Sequence, residues 1–168
     1  GFSSTDAIIL NKCVHHGLDT HVLYTRFAPA DYEILKSVKT SWINLERFTY
    51  LPKLFRWSIF AYETISIVRK KSPDVILSQG IQTHGLLSVL SRVRPVLLAP
   101  WGSDWAIVAR KNRFMRLLSK YVVNRADLIQ IDCEVGKQVI LELSGGKVKP
   151  ENIWVFPQGI ELDTFKPK

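Results

Sequence analysis

The sequence predicts an α/β fold, a Rossmann-like doubly wound parallel sheet with helices on both faces. Three observations carry this. Six short runs rich in Val, Ile, Leu or aromatic residues recur along the 168 residues. Most of these runs are too apolar for a strand with one face in water, and segments of helical length separate them. Apolar strands alternating with helices imply a parallel sheet covered on both sides.

Taken in order, the chain opens on a helix at 4–16, for which Ser4 or Thr5 is a suitable cap and Gly17 a left-handed stop. Strands follow at 21–25 ("HVLYT") and 42–46 ("WINLE"). Pro52 suits the first turn of a helix reaching Lys71. Along it Leu54, Trp57, Ala61, Ile65 and Val68 recur every three or four positions, a face expected to lie on the sheet. Beyond it come strands at 74–78, 95–99, 128–131 and 153–156, separated by helices at 83–91, 112–124 and 134–143, the last ended by "SGG". A doubly wound sheet normally begins with a strand that feeds a glycine-bearing loop into the first helix. Here the helix comes first, so a first strand is expected to be missing. The final "PQGIELDTFKPK" has turn chemistry. The expected organisation is one domain at 1–157 and the start of an interdomain linker at 158–168.

Composition narrows the classes. Hydrophobic residues make up 46% and charged residues 23%, which argues against a disordered or fibrous chain. No apolar run approaches the roughly 20 residues that span a bilayer, and the start lacks the basic region and cleavage site of a signal peptide. Cys13 and Cys133 lie far apart and read as reduced core thiols of a cytoplasmic protein. The net charge of +8 and a pI near 9.6 favour polyanionic partners, whether nucleic acid, anionic lipid or phosphorylated substrates. Much of that charge sits in "ARKNRFMRLLSKYVVNR" at 109–125. This stretch carries Arg110, Lys111, Arg113, Arg116, Lys120 and Arg125 without an acid, with Phe114, Leu117, Leu118, Tyr121 and Val122 as its apolar side. It reads as a basic amphipathic helix, either an ordinary solvated face or a contact for an anionic membrane or other polyanion.

In an open parallel sheet, ligands bind outside the carboxyl ends of the strands. Two glycine-containing polar loops are expected on that edge, "SQGIQTH" at 78–84 and "PWGSDW" at 100–105. Gly102 permits close backbone approach, Ser103 and Asp104 can hydrogen-bond hydroxyls, and Trp101 offers a flat face on which a sugar ring can stack. The alternative for Ser103 or Asp104 is a helix cap, with the tryptophans packed beneath a loop. Gln79, Gln82 and His84 are open to a ligand role or to a surface and capping role. His15 and His16 suit the helix dipole better than a metal. No Walker loop, complete GxGxxG, nucleophile elbow or zinc spacing is present.

In this order the stretches "SPDVILSQG", "RPVLLAPWGSD", "NRADLIQIDCE" and "ENIWVFPQGIELDTFKP" resemble the N-terminal, acceptor-side domain of a GT-B retaining glycosyltransferase of the family 4 type. That family includes glycogen and sucrose synthases and many lipid and polysaccharide glycosyltransferases. The resemblance covers nearly the whole chain and implies one half of a GT-B architecture, the donor-binding C-terminal domain being absent. It implies transfer of a sugar from a nucleotide-sugar to a glycan, lipid-linked or small-molecule acceptor, with retention of configuration, no metal and no cofactor beyond the donor substrate. The isolated chain is then expected to be inactive. Gly1 to Ser4 read as the remnant of the family's first glycine-rich loop. Acceptor binding is expected from Ser3, Ser4, Gln79, Gly80, Trp101, Gly102, Ser103 and Asp104. Trp101 stands where many members carry a histidine close to the transferred sugar, so no catalytic role carries over to it. Asp104 is the nearest candidate for one. Gln158 and Glu161 stand where Asn and Asp are usual around the hinge, Gly159. The expected location is the cytoplasm, peripheral at the inner face of a membrane if the basic helix docks there.

Two other classes stay open at this stage, a nucleic-acid or polyanion binding module and a GT-B-like sugar-nucleotide epimerase domain. Nucleic acid is disfavoured because Phe55, Trp57 and Phe60 lie in core-like helical patterns rather than along a basic groove.

Overall fold

The computed structural model describes residues 4–24, 38–43 and 50–157, apart from the side chains of residues 4–8, 24 and 42. Strands and helices alternate through residues 50–157. The elements are α1 (Ser4–His15), β1 (His21–Tyr24), β2 (Lys39–Trp42), α2 (Lys53–Lys71), β3 (Ile76–Gln79), a π turn (Ile81–Gly85) and α3 (Leu86–Ser91). There follow β4 (Val96–Ala99), α4 (Gly102–Ala106), a 3-10 turn (Val108–Arg110), α5 (Arg113–Val123), β5 (Leu128–Ile131), α6 (Glu134–Ser144), a second 3-10 turn (Pro150–Asn152) and β6 (Ile153–Val155). Among the described residues all strand pairs are parallel, in two ladders, β1–β2 and β3–β4–β5–β6. The α/β, Rossmann-like class predicted from the alternation is the class observed. Two compact units divide the chain, residues 1–64 and 65–168.

In the first unit, α1 stops where glycine allows it to. Gly17 takes φ 71°, and the Gly17 and Leu18 N–H groups donate to the carbonyls of Val14 and Cys13 at 2.9 and 3.0 Å, a Schellman ending. His15 and His16 are exposed just before it, their rings edge to face.

β2 corrects the sequence reading, because it runs over 39–42 rather than 42–46. Residues 44–49 lie outside the described residues. The observed strand is polar and is held by its partner strand. Lys39 N–H donates to Thr20 O at 3.1 Å, Lys39 Nζ meets Asp19 at 2.6 Å, and Ser41 Oγ lies 2.8 Å from His21 Nε2. Strands with an open edge are commonly polar, and a search for apolar runs passes over them.

A second correction concerns α2. Its buried residues are Phe60 and Thr64, one turn apart, whereas Leu54 and Trp57 of the expected stripe are exposed. Trp57 instead sets its ring edge-on to Phe60, centroids 5.5 Å apart. Leu54, Phe55, Trp57, Ile59 and Phe60 populate adjoining stripes of the same helix, so periodicity alone does not choose between them. Phe55 is exposed as well, so of the three aromatics read as core only Phe60 is buried.

The second unit is built on consecutive strand order. Right-handed crossovers between successive neighbours bring their helices to one face of the sheet, and α3, α5 and α6 pack against one another in turn. Register places Ser78, Leu98, Ile129 and Ile153 in one row, all buried. Val122, Val123, Ile140 and Leu143 complete this core from α5 and α6. Leu77 and Trp154 occupy the alternate positions and are exposed. Gly85 sets the closeness of the fit, since a Cβ there would stand 2.7 Å from Gly80 O and 2.9 Å from Leu98 Cδ1 and Val122 Cγ1. Any side chain would push α5 and β4 apart.

Asp127 aligns the start of β4 with the loop before β5. Its backbone N–H donates to Val96 O at 3.0 Å, and its Oδ2 accepts the Val96 N–H at 2.7 Å. Oδ1 accepts from Arg94 Nε and Nη2 at 3.1 and 2.6 Å. Removing the carboxylate strands a part-buried N–H, whereas removing the partly exposed arginine breaks a screened ion pair. Asp127→Ala is therefore expected to cost about 1–3 kcal/mol and Arg94→Ala less than about 1 kcal/mol. Urea unfolding of the two variants checks the order, and equal losses would contradict it.

Candidate functional site

β3 and β4 end in step. Gln79 pairs with Ala99, and the Gly80 N–H donates to Ala99 O at 3.1 Å. Each strand then runs directly into a helical turn, β3 into the π turn and β4 into α4. This places the loop after Gln79 beside the loop after Ala99 on the carboxyl edge of the sheet.

A carboxylate ties the two loops together. Asp104 Oδ2 accepts the Trp101 N–H at 3.0 Å and the Ile81 N–H at 3.3 Å. The first bond caps α4 from its own third residue, since the Trp101 side chain has no oxygen to offer. The second crosses to the neighbouring loop. The other carboxylate oxygen, Oδ1, makes no hydrogen bond among the described residues. The capping and ligand readings of Asp104 are thus compatible, one oxygen for each.

Gly80 makes the crossing feasible. It takes φ 100° and ψ 150°, a region essentially closed to residues with a Cβ, and a Cβ built there would lie 3.3 Å from Asp104 Oδ2. Gln82 extends the tie to α5, because its Nε2 donates to Asp104 O and to the buried Ser119 Oγ, both at 3.0 Å. His84 Nδ1 lies 2.8 Å from Gln79 O. A carbonyl only accepts, so Nδ1 carries the hydrogen. Gln82 and His84 therefore serve as loop ties, the structural side of the alternatives that the sequence left open.

What remains outward is Trp101, 38% exposed, together with exposed Ser103 and a bare Gly102, beside which no atom lies within 4 Å of a would-be Cβ. Trp105 turns the other way. Its ring carbon Cζ2 comes within 3.2 Å of a would-be Cβ on Gly136, and its Nε1 is buried without a partner among the described residues. The structure thus brings Gln79, Gly80, Trp101, Gly102, Ser103 and Asp104 to one edge. The Ser3 and Ser4 side chains and the hinge residues Gln158, Gly159 and Glu161 lie outside the described residues.

Sequence reading took 100–105 for a loop and missed α4. A five-residue helix with glycine first and no side-chain oxygen at its cap position leaves little periodic signal. It also missed the Gln82–Ser119 bond, for which a pair 37 positions apart gives no local cue.

The basic residues separate into two groups. Arg110, Lys111, Arg113 and Arg116 are exposed and carry no ion pair among the described residues. Lys120 is half-buried, its ammonium against Gly145 where α6 ends, so that a Cβ on Gly145 would be 2.6 Å from Nζ. A cation there complements the carboxyl end of the helix. Among the described residues no group of three His, Cys, Asp or Glu is placed to hold a metal, and no helix is long and apolar enough to cross a membrane.

These features define a parallel α/β domain with two cross-tied, glycine-bearing loops at the edge where such sheets take ligands. Residues 7–132 match the profile of the family described as "Glycosyl transferase 4-like", and the chain belongs to that glycosyltransferase family. No curated protein matches the sequence.

If Asp104 and Gly80 hold the edge together while Trp101 only faces outward, their substitutions must differ. Asp104→Ala and Gly80→Ala are each expected to lower stability by about 1–3 kcal/mol, and Trp101→Ala by less than about 1 kcal/mol. Thermal unfolding of the three variants makes the comparison. A loss for Trp101→Ala as large as for Asp104→Ala would show that the tryptophan is core.

Proposed function

We propose that this chain is the acceptor-binding half of a retaining sugar transferase, and that the edge formed by Gln79, Gly80 and Trp101 to Asp104 receives a hydroxyl-rich acceptor. The donor, a nucleotide-sugar, is held by a second domain outside this sequence. The observation that carries the reading is the combination at the strand ends. An outward indole, an unobstructed glycine and, among the described residues, a Ser103 hydroxyl and one Asp104 oxygen without a hydrogen-bond partner all belong to loops held in fixed register by the other oxygen.

The chemistry follows from that arrangement. A sugar ring stacks on the indole, its hydroxyls donate to Asp104 Oδ1 and exchange hydrogen bonds with Ser103, and the bare Gly102 lets the ring approach the backbone. Holding the acceptor rigidly converts an encounter into an oriented attack. Closure of a donor domain over this edge excludes water, which would otherwise compete as acceptor. Asp104 orients the acceptor in this account, and no general base or nucleophile is assigned.

Gly102 provides a test that leaves the fold alone, because a side chain there meets empty space. Gly102→Val is expected to unfold like the parent chain yet to weaken binding of methyl hexosides or short oligosaccharides by about tenfold or more, an effect on the order of 1.4 kcal/mol. Calorimetric titration measures it. Undiminished sugar binding by Gly102→Val would move the site elsewhere. By itself the chain should turn over no nucleotide-sugar, and hydrolysis or transfer by the purified chain would contradict the assignment of donor binding to another domain.

The polyanion reading keeps two observations in its favour, the exposed Phe55 and Trp57 and the exposed Arg110, Lys111, Arg113 and Arg116. A gel shift with single-stranded oligonucleotides separates the two. Tight, salt-sensitive retardation with no measurable sugar affinity would favour the polyanion binder.

A further inference from the structure

The outer face of α5 differs from the one that its sequence suggests. Phe114, Leu117 and Tyr121 are spaced three and four apart and read from the sequence, with Leu118 and Val122, as the apolar side of the helix. Only the latter pair turns inward, beside Ser119 and Val123. Phe114 and Leu117 are 65% and 66% exposed, Tyr121 is 37% exposed, and Ile107 just before the helix is 67% exposed. Arg125 stacks its guanidinium on the Tyr121 ring, 4.0 Å from the centroid. Arg110, Lys111, Arg113 and Arg116 surround these apolar groups without an acidic residue from 109 to 125.

We infer that this face of α5 inserts into an anionic lipid bilayer, with Ile107, Phe114 and Leu117 in the acyl boundary and the four exposed cations at the phosphates. The combination selects the partner. Ile107 and Leu117 are aliphatic and gain from hydrocarbon but little from nucleic-acid bases, which bind by stacking and hydrogen bonding. A second copy of this chain would oppose the same cations to one another. An anionic membrane offers negative charge and apolar depth in one layer, to which an interfacial helix with such faces binds.

Topology links this surface to the proposed site. α5 starts on the strand-end side that α4 occupies, and Gln82 bonds the inner face of α5 at Ser119 to Asp104 O. A bilayer against α5 would therefore lie near the edge proposed to take the acceptor, which fits a lipid-borne acceptor. The membrane contact itself stands without that reading, because vesicle binding requires no sugar transfer.

Flotation of the 168-residue chain with phosphatidylglycerol-containing vesicles, and with phosphatidylcholine alone, tests the inference. Binding is expected with the anionic vesicles only. Part of it should persist at about 1 M salt, where the screening length falls from about 10 Å to about 3 Å, because the inserted groups are uncharged. Phe114→Gln combined with Leu117→Gln should weaken binding about tenfold or more and remove the salt-resistant part. Arg113→Gln with Arg116→Gln should weaken binding at low salt. Phe114→Leu with Leu117→Phe keeps the apolar area and should bind like the parent, which guards against a misfolded variant. Several results would overturn the inference: no binding to the anionic vesicles, full loss at high salt in the parent chain, or indifference to Phe114→Gln with Leu117→Gln. Displacement from vesicles by single-stranded oligonucleotide would assign the face to nucleic acid. A dimer that Leu117→Gln converts to monomer would assign it to self-association.

Discussion

The carboxylate of Asp104 is the constraint on which the strand-end edge proposed to take the acceptor depends. Parallel strands deliver their following loops to a common edge, but topology does not hold those loops in register. Asp104 does so with one oxygen, accepting N–H groups from Trp101 on its own loop and Ile81 on the neighbouring one. Both donors belong to first turns of helical segments, where backbone N–H groups otherwise lack partners. The same bonds therefore complete two helix starts and fix the spacing between them.

Glycine at 80 and glutamine at 82 make the tie workable. A backbone at φ 100° with no Cβ leaves room for the carboxylate, and the Gln82 amide joins Asp104 O to the buried Ser119 hydroxyl. Through Ser119 the edge is coupled to α5, whose opposite face carries the exposed apolar and basic groups. Packing at Gly85 brings the π turn, β4 and α5 within van der Waals distance of one another. The proposed sugar edge and the proposed membrane face are thus two sides of one small, closely packed assembly.

The sequence made the class of fold and most of its elements legible for a simple reason: the core strands are largely apolar runs separated by segments of helical length, and α1 and α6 stop at glycines, Gly17 and Gly145, in the left-handed conformation. β3, β4, β5 and β6 fall within two residues of where such runs place them. Failures occur where packing rather than pattern decides. β2 is polar and exists through its pairing with β1. α2 has apolar residues on adjoining stripes, and only Phe60 with Thr64 is buried. α5 has apolar residues on both faces, and periodicity cannot say which face meets the core. In "PWGSDW" glycine and aspartate singled out the loop that carries Asp104, but the bond that ties this loop to its neighbour runs to Ile81, 23 positions away, and leaves no local signal.

Amide chemical-shift mapping tests the central claim most directly, namely that the two loops form one binding edge. On titrating the isotope-labelled chain with short oligosaccharides, the account predicts that the amides of Gly80, Ile81, Trp101 and Gly102 shift together along one saturation curve. The same titration of Asp104→Ala should lose that concerted response. Shifts confined to one loop, or clustered away from both, would contradict it.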